Sequence, residues 1–266
     1  MLFTIISYQH KASDMFKKPT GPKFVDDGDP AGPNQAGNGQ SYCIVKDNPS
    51  RCLIYVHIPK NASSWTKHHT PGYLFNYRTQ KFYEDIPTQY NINVSTWSEH
   101  LQNAQYAVIL RDPINRWVTG LAQYLQGWDP EHPLHINNVD WDMIFDTVMF
   151  DSHTQPQCDF IKGIDHSKIT WLRCDDELAK NFGKMMEQFT GTPFNLTTED
   201  QDPTNVFNIT KKINPTVTEL FTTELQQNIV DRINEKLSSN PDYLNRLRSF
   251  YKEDCELFET VNFYQA

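Results

Sequence analysis

The tightest constraint on the fold is a junction at residue 59. An apolar, largely β-branched run, Leu53-Ile-Tyr-Val-His-Ile, ends at Pro59, and a lysine follows at once. Beyond Lys60 come the small and hydroxyl residues Asn61-Ala62-Ser63-Ser64, and then Trp65. A buried strand feeding a small-residue loop and then a helix is how α/β proteins hold a phosphate. The loop N–H groups and the helix N-terminus face the anion, and a lysine adds a full charge. The NTPase form of such a loop reads G-x-x-x-x-G-K-[ST]. Here the loop has no glycine, and its lysine stands at the start.

A second junction follows the same plan. Tyr106-Ala-Val-Ile-Leu110 is an apolar strand candidate that runs into Arg111-Asp-Pro-Ile-Asn-Arg116-Trp-Val-Thr119. Asp112 suits an N-cap and Pro113 the first helical position, so a helix starts here and is expected to end near Gly127. Arg111 then lies at the carboxyl end of a strand, where open α/β sheets bind ligands. Further on, the pattern predicts a helix over 140–150, a strand over 168–173 and a helix over 176–189. Two closing helices are expected over 218–238 and 241–258. Alternating strands and helices predict an α/β fold with a central parallel sheet flanked by helices and a P-loop-like strand–loop–helix phosphate site. Residues 1–41 read as an N-terminal extension, largely loop, with a candidate edge strand over 1–10 and a Gly/Pro-rich stretch over 17–40. Residues 42–266 read as a single domain.

Together the two junctions resemble the phosphate motifs of sulfotransferases that use 3′-phosphoadenosine 5′-phosphosulfate (PAPS). In that family a strand ends in Pro-Lys, small or polar residues follow, and an aromatic residue often comes next, as in Pro59 to Trp65. Its 3′-phosphate motif is an arginine ending a strand, Asp-Pro, a second arginine, and a hydroxyl residue eight after the first. Arg111, Asp112-Pro113, Arg116 and Thr119 match it, with threonine where serine is commoner. Asp151-Ser-His153-Thr-Gln-Pro-Gln157 resembles the Asp-x-His-x-x-Pro segment of the membrane-type carbohydrate sulfotransferases. Phe250-Tyr251-Lys-Glu-Asp254-Cys-Glu-Leu-Phe258 resembles the closing helix of that branch.

The resemblance implies sulfuryl transfer from PAPS to an acceptor hydroxyl, on a carbohydrate or a small metabolite. Lys60 would stabilise the leaving phosphate oxygen. Asn61, Ala62, Ser63, Ser64 and Trp65 would hold the 5′-phosphate through backbone N–H groups and hydroxyls. Trp65 would stack on adenine or serve as a core residue. Arg111 and Thr119 would select the 3′-phosphate, while Arg116 is equally suited to a structural ion pair. For the general base His153 comes first, with Glu84, Asp85 and His100 as alternatives. No metal is required, and adenosine 3′,5′-bisphosphate is the product. A nucleotide-dependent kinase or a non-catalytic nucleotide-binding protein remains open from the residues alone.

Charge narrows the partners. The 266 residues carry 24 basic and 33 acidic side chains, a net charge of −9. Bulk attraction to nucleic acid or acidic membranes is therefore not expected, and an anionic cofactor needs a local cationic cluster. Five widely spaced cysteines, with no C-x-x-C, signal neither a disulfide framework nor a zinc site. His68-His69 and the His132/His135 pair lack acidic or cysteine partners at ligand spacing and read as solvated or helix-end residues. No apolar stretch is long enough to span a bilayer. Sequons begin at Asn61, Asn93, Asn195 and Asn208. A glycan on Asn61 would block the loop, so a cytoplasmic protein of bacterial or viral origin is expected.

Overall fold

A computed structural model describes residues 40–45, 52–69, 73–78, 81–82, 103–126, 128, 130–194 and 223–266. All of them belong to the unit Ala31–Ala266. The candidate edge strand at 1–10, the alternative bases Glu84, Asp85 and His100, and the other three sequons lie outside the described residues.

Six strands form one sheet: β1 (Gln40–Val45), β2 (Cys52–Val56), β3 (Tyr73–Asn76), β4 (Lys81–Phe82), β5 (Gln105–Leu110) and β6 (Ile169–Arg173), in the order β4-β3-β1-β2-β5-β6. The fold is α/β as expected, but only half of the sheet is parallel. β2 runs parallel to β5, with Tyr55 beside Ala107, and β5 runs parallel to β6, with Val108 beside Trp171. β1 is antiparallel to both β2 and β3, and β3 to β4. The sheet is therefore mixed rather than the expected central parallel sheet. Gln40 and Ser41 belong to β1 rather than to the N-terminal extension.

The parallel strands read as apolar runs because both of their faces are covered. On one face Leu53, Tyr55, Ala107, Ile109 and Leu172 pack with Trp65 of α1 (Ser63–His69) and with Phe182 and Met186, which belong to a helix described below. On the other, Val56, Val108, Leu110 and Trp171 pack with Phe160 and Ile161 of a short helix, with Leu257 and Phe258 against them. The period of two along each strand sends alternate residues to opposite cores.

Local signals explain where the helices start and stop. α2 (Pro113–Gln126) begins where Asp112 accepts the Asn115 N–H at 2.8 Å, with Pro113 at the first position. α3 (Trp141–Thr147) is capped by Asp140, which accepts from the Asp142 and Met143 N–H groups. It stops before the expected Phe150 because Val148 takes a left-handed φ of 56° and donates its N–H to the Ile144 carbonyl. α4 (Gln157–Ile161) supplies Phe160 and Ile161, and a 3₁₀ turn (His166–Lys168) leads into β6. α5 (Leu178–Thr190) supplies Phe182 and Met186 and ends at Gly191 with φ 74°. α6 (Thr223–Ser239) packs against α2.

The last expected helix is two helices, α7 (Pro241–Phe250) and α8 (Lys252–Thr260), broken at Tyr251. After α8 the chain runs beside β6: Phe263 bridges Trp171, and the Tyr264 N–H donates to the Trp171 carbonyl at 2.8 Å. Arg173 lies over the rings of Phe258 and Phe263. This backbone partly covers the exposed edge of the sheet. Among the described residues no helix is long and apolar enough to cross a membrane, and none of the five cysteines forms a disulfide.

Candidate functional site

The carboxyl ends of β2 and β5 lie side by side, and the two motif segments leave the sheet there. After β2 the chain makes a tight turn in which the Asn61 N–H donates to the Ile58 carbonyl at 3.3 Å. Lys60 has φ 69° and Ala62 φ 54°, while the intervening Asn61 has negative φ. Left-handed φ at non-glycine residues costs free energy and persists only where the surroundings enforce it. Here hydrogen bonds from the turn to its neighbours enforce it. Asn61 is wholly buried, and its Nδ2 donates to the Ile109 carbonyl and to Gln157 Oε1, both at 2.6 Å. The Ala62 carbonyl accepts both the N–H and the hydroxyl of Thr66.

Arg111, at the end of β5, faces this turn. Its Nη1 donates to the Lys60 carbonyl at 3.2 Å and to Thr119 Oγ1 at 3.3 Å. Arg111 and Thr119, both assigned to the 3′-phosphate from the sequence, are thus brought together, one on the strand end and one on α2. Nε and Nη2 of Arg111 have no hydrogen bond among the described residues. Neither does Lys60 Nζ, which has no carboxylate within ion-pair distance. Lys60 is held down to a pKa of about 8, chiefly by burial and next by the Arg111 guanidinium, with Asp151 opposing and Arg116 adding a smaller push. A largely buried ammonium beside a guanidinium is costly unless an anion joins them.

Arg116 serves the scaffold. It is 1% exposed, and its guanidinium donates to three backbone carbonyls: Pro59 at 2.9 Å, Ser152 at 3.2 Å and Gln155. It also lies over the Phe160 ring. Among the described residues it makes no ion pair, in contrast to the structural pairing considered from the sequence. This arginine joins the turn after β2 to segment 151–157. A sequence signal exists: Arg116 shares a helical face with Pro113 and Gly120, both buried, and adjoins Trp117.

Segment 151–157 brings His153 to the site. His153 Nδ1 lies 2.8 Å from Asp151 Oδ2, and its backbone N–H donates to Asp151 Oδ1 at 2.9 Å. A carboxylate on Nδ1 fixes the ring and the tautomer, leaving Nε2 as the proton acceptor. The segment fits tightly against α2: a Cβ on Gly120 would stand 2.3 Å from the His153 carbonyl oxygen. Two residues of the closing helices lock it from behind. The Tyr251 hydroxyl donates to the Thr154 carbonyl, and Asp254 accepts the N–H groups of Gln157 at 2.6 Å and Cys158 at 2.8 Å. Asp159, Phe160 and the turn at Tyr77–Arg78 are joined by further bonds to backbone carbonyls.

Of the two roles open to Trp65 the core one fits, and the contact expected of the Asn61 N–H changes. Trp65 is wholly buried, with its ring edge-on to Phe182 at 5.5 Å and 4.9 Å from His69, so it presents no face to an adenine. The Asn61 N–H is used inside the turn, and its side chain braces the loop against β5. Asn61 Oδ1 is buried with no hydrogen-bond partner, and a buried acceptor of that kind calls for one. Ala62 is buried, Ser63 is half-buried at the start of α1, and the side chain of Ser64 lies outside the description. The histidines at 132 and 135 take part in turns, each accepting a nearby N–H on Nδ1. A groove of about 290 Å³ between Asp112, Arg248, Phe258 and Glu259 contains neither Lys60 nor His153.

No protein-family model, no curated protein and no solved structure matches the chain.

Proposed function

We propose that the chain is a PAPS-dependent sulfotransferase, and that the turn at 60–65 with Arg111 and Thr119 is its donor site. The observation that carries this reading is the pairing of two cations, Lys60 and Arg111, each with donors unengaged among the described residues, across adjacent strand ends. In a chain of net charge −9 such a pair is a local anion site. Left-handed φ at Lys60 and Ala62 is a feature that anion-binding turns in other proteins share. Asp151, whose charge acts on Lys60, is hydrogen-bonded to His153 and makes no ion pair with either cation among the described residues.

The reaction then divides among named groups. The acceptor hydroxyl oxygen bonds to sulfur as the bond from sulfur to the 5′-phosphate oxygen breaks. Nε2 of His153 takes the hydroxyl proton, held in register by Asp151. The Lys60 ammonium stabilises charge on the departing phosphate, and Arg111 with Thr119 receives the 3′-phosphate. The acceptor is a carbohydrate or small-metabolite hydroxyl.

Calorimetric titration with adenosine 3′,5′-bisphosphate, AMP, and ATP plus magnesium tests the donor. Contacts to charged groups contribute about 1.5–3 kcal/mol each, so the bisphosphate is expected to bind roughly tenfold or more tighter than AMP. Arg111→Ala is expected to erase that difference. Equal affinity for bisphosphate and AMP, or tighter binding of magnesium ATP, overturns the reading.

A further inference from the structure

Gln157 has no role in the chemistry above, yet it is 1% exposed and every polar atom of its side chain is used. Its Oε1 accepts from Asn61 Nδ2 at 2.6 Å and from the Arg111 N–H at 3.1 Å, and its Nε2 donates to the Arg111 carbonyl at 2.9 Å. One amide therefore grips the Arg111 backbone on both sides, as a neighbouring strand would, and holds the turn residue Asn61 with the same oxygen. Its own N–H is fixed by Asp254 of α8. The relative placement of Lys60 and Arg111 thus passes through Gln157. The direct link between them is a single guanidinium hydrogen bond to the Lys60 carbonyl, on a side chain with several rotatable bonds.

We infer that Gln157 is a positioning residue that sets the spacing between the 60–62 turn and Arg111, and with it the selectivity for a ligand bearing two separate phosphate groups. The inference rests on the donor site proposed above. A ligand with a single phosphate needs only one of the two elements in place. A ligand with two phosphates needs both at a fixed separation, so losing the clamp costs the second phosphate contact and spares the first. The Asn61 turn keeps its bond to the Ile109 carbonyl when Gln157 is changed, which is why the first contact survives.

The test compares the wild-type chain with Gln157→Met and Gln157→Asn, titrated with adenosine 3′,5′-bisphosphate and with AMP, after folding is verified by circular dichroism. Gln157→Met keeps the charge and about the volume but makes none of the three amide contacts. Gln157→Asn keeps an amide that is one methylene too short, so it carries the test if Gln157→Met does not fold. The expected result is that the ratio of the two affinities falls by about tenfold while AMP affinity stays within about twofold. An unchanged ratio overturns the inference and leaves the donor site standing. A parallel fall in both affinities also overturns it, because Gln157 would then only support the fold. Failure of the wild-type chain to prefer the bisphosphate overturns the donor site, and the inference with it.

Discussion

The two halves of the sheet differ in what they carry. The parallel half, β2, β5 and β6, ends in the turn at Lys60, in Arg111 and in the Cys174 N–H bond to the Leu110 carbonyl that extends the β5–β6 ladder. Among the described residues the antiparallel half, β1, β3 and β4, contributes none of the candidate residues; Glu84 and Asp85, which follow β4 in sequence, lie outside them. Its described part covers the flank of β2 and sends the Tyr77–Arg78 turn towards α4. Parallel strands end on the same side, so the segments leaving them are brought together at one rim, while antiparallel neighbours alternate ends. Chemistry and scaffold therefore divide between the halves, and substitutions are expected to divide in the same way.

The largest effects are expected at the rim of the parallel half. Lys60→Ala is expected to lower turnover by about 10²–10³-fold, the range for losing one stabilising contact to developing negative charge. His153→Ala is expected to lower it by about 10²-fold or more, as for a removed general base. Bisphosphate affinity should survive in the His153→Ala protein and largely survive in Lys60→Ala, since Arg111 and the backbone turn remain. Single-turnover rates and titrations on the same preparations check both statements. A Lys60→Ala protein with near-normal turnover would break the division at its strongest point.

The elements that carry the candidate residues were more legible in the sequence than the rest of the sheet was, and physics explains the asymmetry. β2, β5, α2 and α5 follow from continuous apolar runs and an Asp-Pro helix start, all of them local signals. β3 and β4 are short strands, and the pairing of β3 with β1 depends on contacts distant in sequence. The direction of β1 has no local signature at all. The bracing role of Asn61 and the role of Gln157 were missed, and Trp65 was left between two roles, because burial and long-range hydrogen bonding decide them and neither is written in spacing. The break at Tyr251 was hidden because the helical pattern of α7 continues into α8 almost in phase.

A smaller effect is expected in the antiparallel half, and in stability alone. Ile44 is 2% exposed on the face shared with Tyr42, Leu53 and Tyr55. Ile44→Val removes one methyl group and is expected to cost about 0.5–1.5 kcal/mol. At about 2–4 °C per kcal/mol for a domain of this size, a thermal melt resolves the change. Bisphosphate affinity and turnover should equal those of the wild-type protein. A kinetic defect in Ile44→Val would show that the scaffold half sets the geometry of the rim.

The smallest expected signal is a fraction of a proton, and it locates the Lys60 charge directly. Burial and Arg111 hold Lys60 at a pKa of about 8, against about 10.4 in an unfolded chain. Below pH 8 both states carry the proton, and the folded state bears the full cost of the buried charge. Between pH 8 and about 10.4 the unfolded chain binds more protons than the folded one, so stability should rise with pH across that window. A bound phosphate favours the ammonium and moves the pKa back up. Bisphosphate binding at pH 8 should then take up roughly half a proton, the fraction that a group with pKa near 8 lacks there. Calorimetry in two buffers of different ionisation enthalpy measures that uptake, and Lys60→Met should abolish it. The same titration predicts an alkaline limb in turnover centred near pH 8 when donor is sub-saturating, which moves upward as the donor saturates. Zero proton uptake in the wild-type protein would mean that Lys60 does not meet the phosphate, and the charge at the rim would then rest on Arg111 alone.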